Sequence, residues 1–292
     1  MIVSELCIYP FKSCQGIKLQ RAKVTPKGFA GDREFMLVTQ KGKFLTQRQF
    51  PQLAKVRVQI SEQQISLSTV DNKAKPLTFQ PTLTGTEIEV EIWRDITLAI
   101  DQGDEVAEWF QTFLELDSHK KCRLVQQSPQ YIRPINRRYT TQTQESVSFA
   151  DSYPYLLTAT ASLKELNYRI REIEQQDFCP VPMNRFRPNI VVETEKSFVE
   201  GNWKSIQIGE VRFILVKPCS RCIITTTNQQ TGKTNQSREP LRTLGTFRQF
   251  GEQGVLFGEY MVPQNLGIIQ VGDTVKVLEF RGKTTKQISR FT

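Results

Sequence analysis

Short runs of β-forming residues, divided by turn residues, fill the first hundred positions of this 292-residue chain. Strands this short and this frequent are typical of a small antiparallel barrel or sandwich. The sequence therefore predicts a mainly β fold with few helices. The predicted strands are Ile2–Tyr9, Lys18–Thr25, Glu34–Thr39, Val56–Ile60, Gln64–Ser68, Ile88–Ile92 and Thr97–Ile100.

Two stretches have apolar residues at helical spacing. The first has Asp104 as its expected N-cap and runs to about Leu116. The second follows a capping box formed by Ser162 and Glu165. Residues 117–148 lie between these helices and are polar and basic, so we expect a connector between two modules. The basic residues of this connector are Arg133, Arg137 and Arg138.

The stretch of residues 217–232, KPCSRCIITTTNQQTG, is the most informative for function. Pro218 is predicted to end the preceding strand, because proline cannot donate to a sheet ladder. The residues Cys219–Cys222 then form a short loop. The next run, Ile223–Thr227, is β-branched throughout and predicts another strand. Cys222 is therefore expected at a junction between a loop and a strand.

Cys222 has several possible roles. Its neighbours Lys217 and Arg221 favour the thiolate, the form that binds metal ions. A zinc site is a poor match, because the chain has no second close cysteine pair and a single histidine, His119. A small buried hydrophobe and a redox dithiol are further alternatives, although redox pairs usually open a helix. In the remaining alternative, Cys222 holds a soft metal centre while Ser220 and Arg221 hold the rest of a ligand.

Two polar motifs occur near the N-terminus. Residues 9–14, YPFKSC, end the first strand with a proline and leave Lys12 and Ser13 in a loop. Residues 28–35, GFAGDREF, form a glycine-rich turn with Arg33 near the start of a strand. Local pattern alone is equally consistent with two ordinary β-turns that carry solvated charges.

Residues 184–192, NRFRPNIVV, combine a guanidinium and an amide two positions apart. Pro188 favours an extended Arg187, and strand alternation then places Arg187 and Asn189 on one face. Arginine offers a bidentate fork for phosphate, and asparagine offers a donor and an acceptor for a heterocycle edge. The alternative is a surface arginine beside an asparagine at a strand edge.

Together these motifs resemble the MOSC family (molybdenum cofactor sulfurase C-terminal domain). The similarity is greatest to the branch that holds the mitochondrial amidoxime-reducing component and its bacterial relatives. It runs in order from about Glu5 to about Leu278 through at least five motifs. The motifs include YPFKS, GFAGDREF, FRPNIVV, CSRCIITTTNQQTG and LFGEY, together with the turn ADSYPY at residues 150–155.

The resemblance implies two β-barrel modules and a molybdenum–molybdopterin cofactor. Residues 1–118 would form the N-terminal MOSC β-barrel domain, and residues 119–292 the MOSC domain, with a core at about 128–281. Cys222 would ligate the molybdenum and serve catalysis. The residues implied to bind the cofactor are Lys12, Ser13, Arg33, Ser152, Tyr153, Arg187, Asn189, Ser220, Arg221 and Tyr260.

The resemblance also implies reduction of small N-hydroxylated compounds such as amidoximes. Electrons would come from a separate redox protein, such as a ferredoxin, a cytochrome b5-like protein or a flavoprotein reductase, because the chain shows no iron–sulfur cysteine cluster. Two other functions remain open. One is a sulfur carrier or a handler of the molybdenum cofactor, and the other is a cofactor-binding module without turnover.

The net charge of +9 is compatible with nucleic acid, an acidic protein or a small anion as partner. The basic residues are spread out and form no nucleic-acid motif, so we expect a small anion instead. The six cysteines do not form a secreted disulfide pattern. Neither a signal peptide nor a membrane span is recognisable, and we expect a cytoplasmic protein.

Overall fold

The computed structural model describes residues 1–117, 119–131, 133–135 and 146–282. These residues form a mainly β fold, as predicted, with three α-helices: α1 (Asp104–Phe113), α2 (Thr160–Glu174) and α3 (Leu241–Phe247). The strands are β1 (Val3–Ile8), β2 (Ile17–Leu19), β3 (Arg21–Thr25), β4 (Gly28–Phe29), β5 (Phe35–Thr39), β6 (Val56–Ile60), β7 (Ile65–Thr69), β8 (Leu77–Phe79), β9 (Glu87–Ile92), β10 (Asp95–Asp101), β11 (Cys122–Gln127), β12 (Tyr155–Ala159), β13 (Ile190–Val192), β14 (Trp203–Ile208), β15 (Val211–Ser220), β16 (Leu256–Pro263), β17 (Gly267–Gln270) and β18 (Val275–Phe280).

The largest sheet contains both the first and the last strands of the described residues. Its strand order is β18-β14-β15-β16-β12-β13-β1-β2. Strand β1 is antiparallel to β13, which runs parallel to β12. A small sheet with the order β17-β3-β4 repeats this pairing of early and late strands. Leu6, Tyr155, Ile190, Phe213 and Met261 belong to the buried core of this region. Burial of such side chains is the main driving force that holds the two ends together.

The remaining strands form two sheets, β5-β11-β10-β9 and β6-β7-β8. Helix α1 covers part of their core with Val106, Phe110 and Phe113, as its apolar spacing predicts. Its N-cap is Gly103 rather than the predicted Asp104. The φ of Gly103 is 95°, a conformation that glycine adopts without a Cβ clash.

The predicted connector is partly a packed strand. Strand β11 lies inside this connector and pairs with both β5 and β10. Its Leu124 and Val125 are fully buried. Arg133 is not solvated either: it donates to Asp95 Oδ2 at 2.8 Å and to the carbonyl oxygen of Ala150 at 2.7 Å. The polar composition of residues 117–148 therefore predicted a connector where part of the segment is a packed strand. Arg137 and Arg138 lie outside the described residues.

The predicted capping box at the start of α2 is wrong. The helix begins at Thr160, so Ser162 lies within it. Ser162 Oγ donates to the buried Glu200 carboxylate at 2.7 Å and accepts the amide of Phe198 at 2.8 Å. Glu165 instead pairs with Arg169 one turn later. Within the described residues, no helix combines the length and the apolar character needed to cross a bilayer.

Candidate cofactor site

Loops from distant parts of the chain meet in one cleft. These loops follow β1, β4, β5 and β15, or precede β12 and β13. Strands β12, β15 and β16 complete the lining with Leu156, Cys219, Ser220 and Tyr260. Ten of the eleven predicted site residues line this cleft: Lys12, Ser13, Arg33, Tyr153, Arg187, Asn189, Ser220, Arg221, Cys222 and Tyr260. Ser152 does not belong to the lining, whereas Asp151 beside it does.

The backbone around Cys222 differs from the sequence-based prediction. Strand β15 continues through Pro218 to Ser220, with irregular register against β16 on both sides of the proline. Those irregularities let a residue without an N–H lie in a strand. The predicted strand at residues 223–227 is a 3-10 helix, Ile223–Thr226. The hydroxyl of Thr225 donates to the Cys222 carbonyl oxygen at 2.9 Å, a local bond that competes with strand pairing.

Arg187 and Arg33 are fixed side by side at the base of the cleft. Their guanidinium groups lie over the Tyr9 ring at 4.2 Å and 4.4 Å. Arg33 donates to Asp32 at 2.6 Å and to Asn189 Oδ1 at 3.0 Å. Arg187 donates to the carbonyl oxygen of Cys14 at 2.6 Å. Hydrogen bonds and ring contacts therefore hold two like charges close together.

The amide of Asn189 is used by the protein itself. Its Oδ1 accepts the amide of Leu156 at 3.2 Å, and its Nδ2 donates to the carbonyl oxygen of Cys7 at 3.1 Å. Asn189 is almost completely buried. Asn189 therefore connects β1, the start of β12 and the loop before β13. Its Oδ1 also holds the Arg33 guanidinium in position at the cleft.

Three cleft residues have left-handed backbone conformations. The φ values are 72° for Ser13, 50° for Arg33 and 54° for Arg187. The prediction of an extended Arg187 is therefore wrong, because its tertiary contacts override the preference set by Pro188. Such conformations cost roughly 1–3 kcal/mol each in non-glycine residues and cluster at functional sites. Three residues of the cleft lining therefore carry such backbone strain.

Lys12 and Asp151 form an ion pair at one wall. Lys12 Nζ lies 2.6 Å from Asp151 Oδ1 and donates to the Phe149 carbonyl oxygen at 2.8 Å. Burial lowers the pKa of the Lys12 ammonium, and the carboxylate opposes that shift. For Asp151, burial favours a higher pKa, but the Lys12 ammonium and other donors hold its pKa below the ordinary value.

Arg221 holds the turn beside Cys222. Its Nη2 donates to the carbonyl oxygen of Phe186 at 2.6 Å, and its Nη1 lies 2.9 Å from Cys219 Sγ. Its Nε is buried and has no partner among the described groups. Because buried donors are almost always satisfied, this N–H calls for a ligand or a water molecule in the cleft.

Sequence patterns did not indicate Arg48, which lies in the loop after β5. Its Nη2 donates to Cys222 Sγ at 3.2 Å, and its guanidinium lies 4.7 Å from the Trp93 ring centre. No local motif at residues 46–50 indicates this role, since both partners are distant in sequence. Including Arg48, five cationic side chains line the cleft together with the carboxylate of Asp151. Such a lining favours an anion.

Three other cysteines are unsuited to ligation. Burial raises the pKa of the thiols of Cys7 to about 11, and of Cys14 and Cys122 to about 12. These groups therefore stay protonated at neutral pH, and protonated thiols are poor metal ligands. In the described part of the chain, no three His, Cys, Asp or Glu side chains are grouped as a metal site. Cys222, half-buried in the cleft, is the accessible candidate.

Comparison with known proteins identifies the family. Residues 1–117 match the MOSC N-terminal beta barrel domain, and residues 144–276 match the MOSC domain. The chain belongs to the MOSC family. It is 33% identical to mitochondrial amidoxime-reducing component 1 of Homo sapiens over 94% of this chain and 82% of that protein. The corresponding protein of Mus musculus is 31% identical with the same coverage.

A second group of MOSC relatives is longer. The chain is 32% identical to molybdenum cofactor sulfurase of Bombyx mori over 89% of this chain and 32% of that protein. The chain thus spans about a third of the sulfurase. The relatives associate the family with molybdenum-cofactor chemistry. The division between residues 118 and 119 and the roles of the individual site residues remain predictions.

Proposed function

We propose that this MOSC protein is a molybdenum-cofactor-dependent reductase of N-hydroxylated compounds, including amidoximes. One observation carries the proposal: the accessible thiol of Cys222 shares a cleft with five cationic side chains. A thiolate is a suitable ligand for a soft metal centre, and the cations suit the phosphate of a molybdopterin. Relatives named amidoxime-reducing components support the choice of substrate.

The cleft residues fit such a cofactor. Cys222 would hold the molybdenum, while Lys12, Arg33, Arg187 and Arg221 would bind the phosphate and pterin. Each charge-assisted contact contributes roughly 1.5–3 kcal/mol. The unpartnered Nε of Arg221 is an available donor for this ligand. Ser13, Ser220 and Tyr260 offer further polar atoms, whereas Tyr153 is buried with its ring against Tyr260.

The chemistry requires both electrons and protons. Conversion of R–NHOH to R–NH2 and water consumes two electrons and two protons, and the bound molybdenum cofactor would supply the two-electron step. The protein's part is to bind and orient the reactants. A separate ferredoxin, cytochrome b5-like protein or flavoprotein would supply the electrons. The cytoplasmic location and the absence of a nucleic-acid partner stay predictions.

The similarity to molybdenum cofactor sulfurase supports a second candidate. In that case Cys222 would carry sulfur as a persulfide, and the cleft would hold the cofactor during its modification. A binding module without turnover is the third candidate. Mass spectrometry of freshly isolated protein tests for the persulfide, and cofactor content without reductase activity indicates the third function.

The decisive experiment uses protein made in a host that synthesises the molybdenum cofactor. We expect molybdenum in the purified protein and reduction of benzamidoxime with a viologen as an artificial low-potential donor. NADH alone should give no turnover. Cys179→Ser is the matched control for Cys222→Ser, because Cys179 is exposed and does not line the cleft. Molybdenum-loaded protein that reduces no N-hydroxylated compound with any donor would exclude the proposal.

A further inference from the structure

The turn between β9 and β10 carries a tryptophan in an unfavourable position. Ile92 pairs with Asp95, so Trp93 and Arg94 form the whole two-residue turn. Trp93 has a φ of 59°, in the positive range that glycine usually occupies at the first central position of such turns. The residue is nevertheless 46% exposed. The fold therefore holds a large apolar ring partly in solvent at a cost in backbone strain.

The indole is fixed at the edge of the cofactor cleft. Its Nε1 donates to Asp151 Oδ1 at 3.1 Å, and Asp151 lines the cleft. The guanidinium of Arg48 lies 4.7 Å from the indole ring centre, and the Phe44 ring is 5.2 Å away. These contacts set the orientation of the ring. An oriented, half-exposed aromatic surface therefore adjoins a cleft whose lining is otherwise rich in charge.

Arg48 differs from the other four cations of the cleft. Each of those four donates to a backbone carbonyl oxygen. In the described structure the Arg48 side chain donates one hydrogen bond, to Cys222 Sγ at 3.2 Å. A guanidinium has five N–H donors, so Arg48 retains donors for a ligand beside Cys222.

We propose that Trp93 and Arg48 form the substrate subsite, and that it takes a flat aromatic compound with an N–O group. The substrate ring would lie against the exposed part of the Trp93 indole, as aromatic pairs do in offset or edge contacts. Arg48 would donate to the substrate oxygen next to Cys222. This inference rests on the proposed function and assigns its substrate preference to two residues.

The first test compares benzamidoxime with acetamidoxime, which has a methyl group in place of the ring. In molybdenum-loaded Trp93→Asn, the KM for benzamidoxime divided by the KM for acetamidoxime should rise about five- to tenfold, given the usual strength of aromatic contacts. A purely structural Trp93 would give a lower melting temperature and an unchanged KM ratio, which would overturn the proposal.

A matched control and a binding measurement accompany this test. Trp109→Phe changes a tryptophan that packs against Phe110 and Phe113 of α1 and contacts no cleft residue among those described, and it should leave the KM ratio at the wild-type value. Benzamidoxime should quench the tryptophan fluorescence of the loaded wild type and not that of Trp93→Phe. Equal quenching in the two proteins contradicts the subsite. This binding measurement remains decisive even if the protein reduces neither amidoxime, a result that would count against the proposed function alone.

The second test concerns Arg48. Arg48→Gln should lower kcat/KM for both amidoximes about 10- to 100-fold while molybdenum content stays near the wild-type value, since one charged hydrogen bond to substrate is lost. Arg48→Lys, which keeps the charge, should recover part of the loss. If both variants instead lost molybdenum in proportion to activity, Arg48 would bind the cofactor and not the substrate, and the proposal would be wrong.

Discussion

Arg187 Nη1 lies 2.6 Å from the carbonyl oxygen of Cys14, a residue 173 positions earlier in the chain. The same guanidinium lies 4.2 Å from the ring centre of Tyr9. A solvated arginine would contribute little to stability, but Arg187 connects the loop before β13 to the loop after β1. Its removal should therefore affect both the fold and the binding of an anion.

Arg187→Ala should lower the melting temperature of the cofactor-free protein and weaken cofactor retention by about 10- to 100-fold, for a contact of roughly 1.5–3 kcal/mol. The control is Arg212→Ala, because Arg212 is an exposed residue of β15 away from the cleft. Cofactor content is measured by the fluorescence of the released, oxidised pterin. Full retention in Arg187→Ala would show that the anion lies elsewhere.

The two cysteines of residues 219–222 should not be equivalent. Cys222 is half-buried, whereas Cys219 is buried with Arg221 Nη1 at 2.9 Å. Cys222→Ser should abolish molybdenum binding, and Cys219→Ser should largely retain it. Metal analysis of the two purified variants decides this point. Equal loss from both would indicate that two thiolates hold the metal.

Thiol alkylation should separate the cysteines by burial. At pH 8 the thiols of Cys7, Cys14 and Cys122 stay protonated, because burial raises their pKa to about 11, 12 and 12. Native cofactor-free protein treated with iodoacetamide should be modified at Cys179 and Cys222, with the three buried thiols labelled only after unfolding. Peptide mass spectrometry gives the sites. Rapid labelling of Cys14 in the native state would contradict this burial.

Glu259 should make stability depend on pH. Burial, opposed by Arg281, raises the pKa of this carboxyl from 4.5 to about 7. The folded state therefore keeps a proton that the unfolded state releases between these two values, and the contribution of Glu259 to stability falls as pH rises through this window. Glu259→Gln should gain melting temperature relative to wild type as pH increases from 4.5 to 8. A constant difference between the two proteins across this range would refute the assignment.

Sequence patterns located the cleft residues that lie next to strand ends, on either side of a strand. Lys12, Arg33 and Arg187 stand in short polar motifs between β runs, and such positions converge where strands end together. The sequence patterns did not predict a role for Arg48, because its contact with Cys222 joins residues 174 positions apart. No local spacing encodes a contact of that range.

Local rules also failed where tertiary contacts compete with them. Pro188 favours an extended Arg187, yet the acceptor at Cys14 and the ring of Tyr9 stabilise a left-handed conformation. The β-branched run after Cys222 favours a strand, yet its threonine hydroxyls bond to nearby carbonyl oxygens and form a 3-10 helix. In both cases the deviation from the local preference lies in the cleft.

The pairing of β1 with β13 has a consequence for how the protein is made. Val3 lies opposite Val192, so β1 can pair with β13 only after the ribosome has synthesised the residues up to Val192. The cleft draws its lining from as early as Lys12 and as late as Tyr260. A nascent chain lacks the complete lining until Tyr260 has been added and has left the ribosome. The cofactor should therefore bind after the cleft-forming residues have been synthesised. The supply of the cofactor would then set how quickly newly made protein becomes loaded.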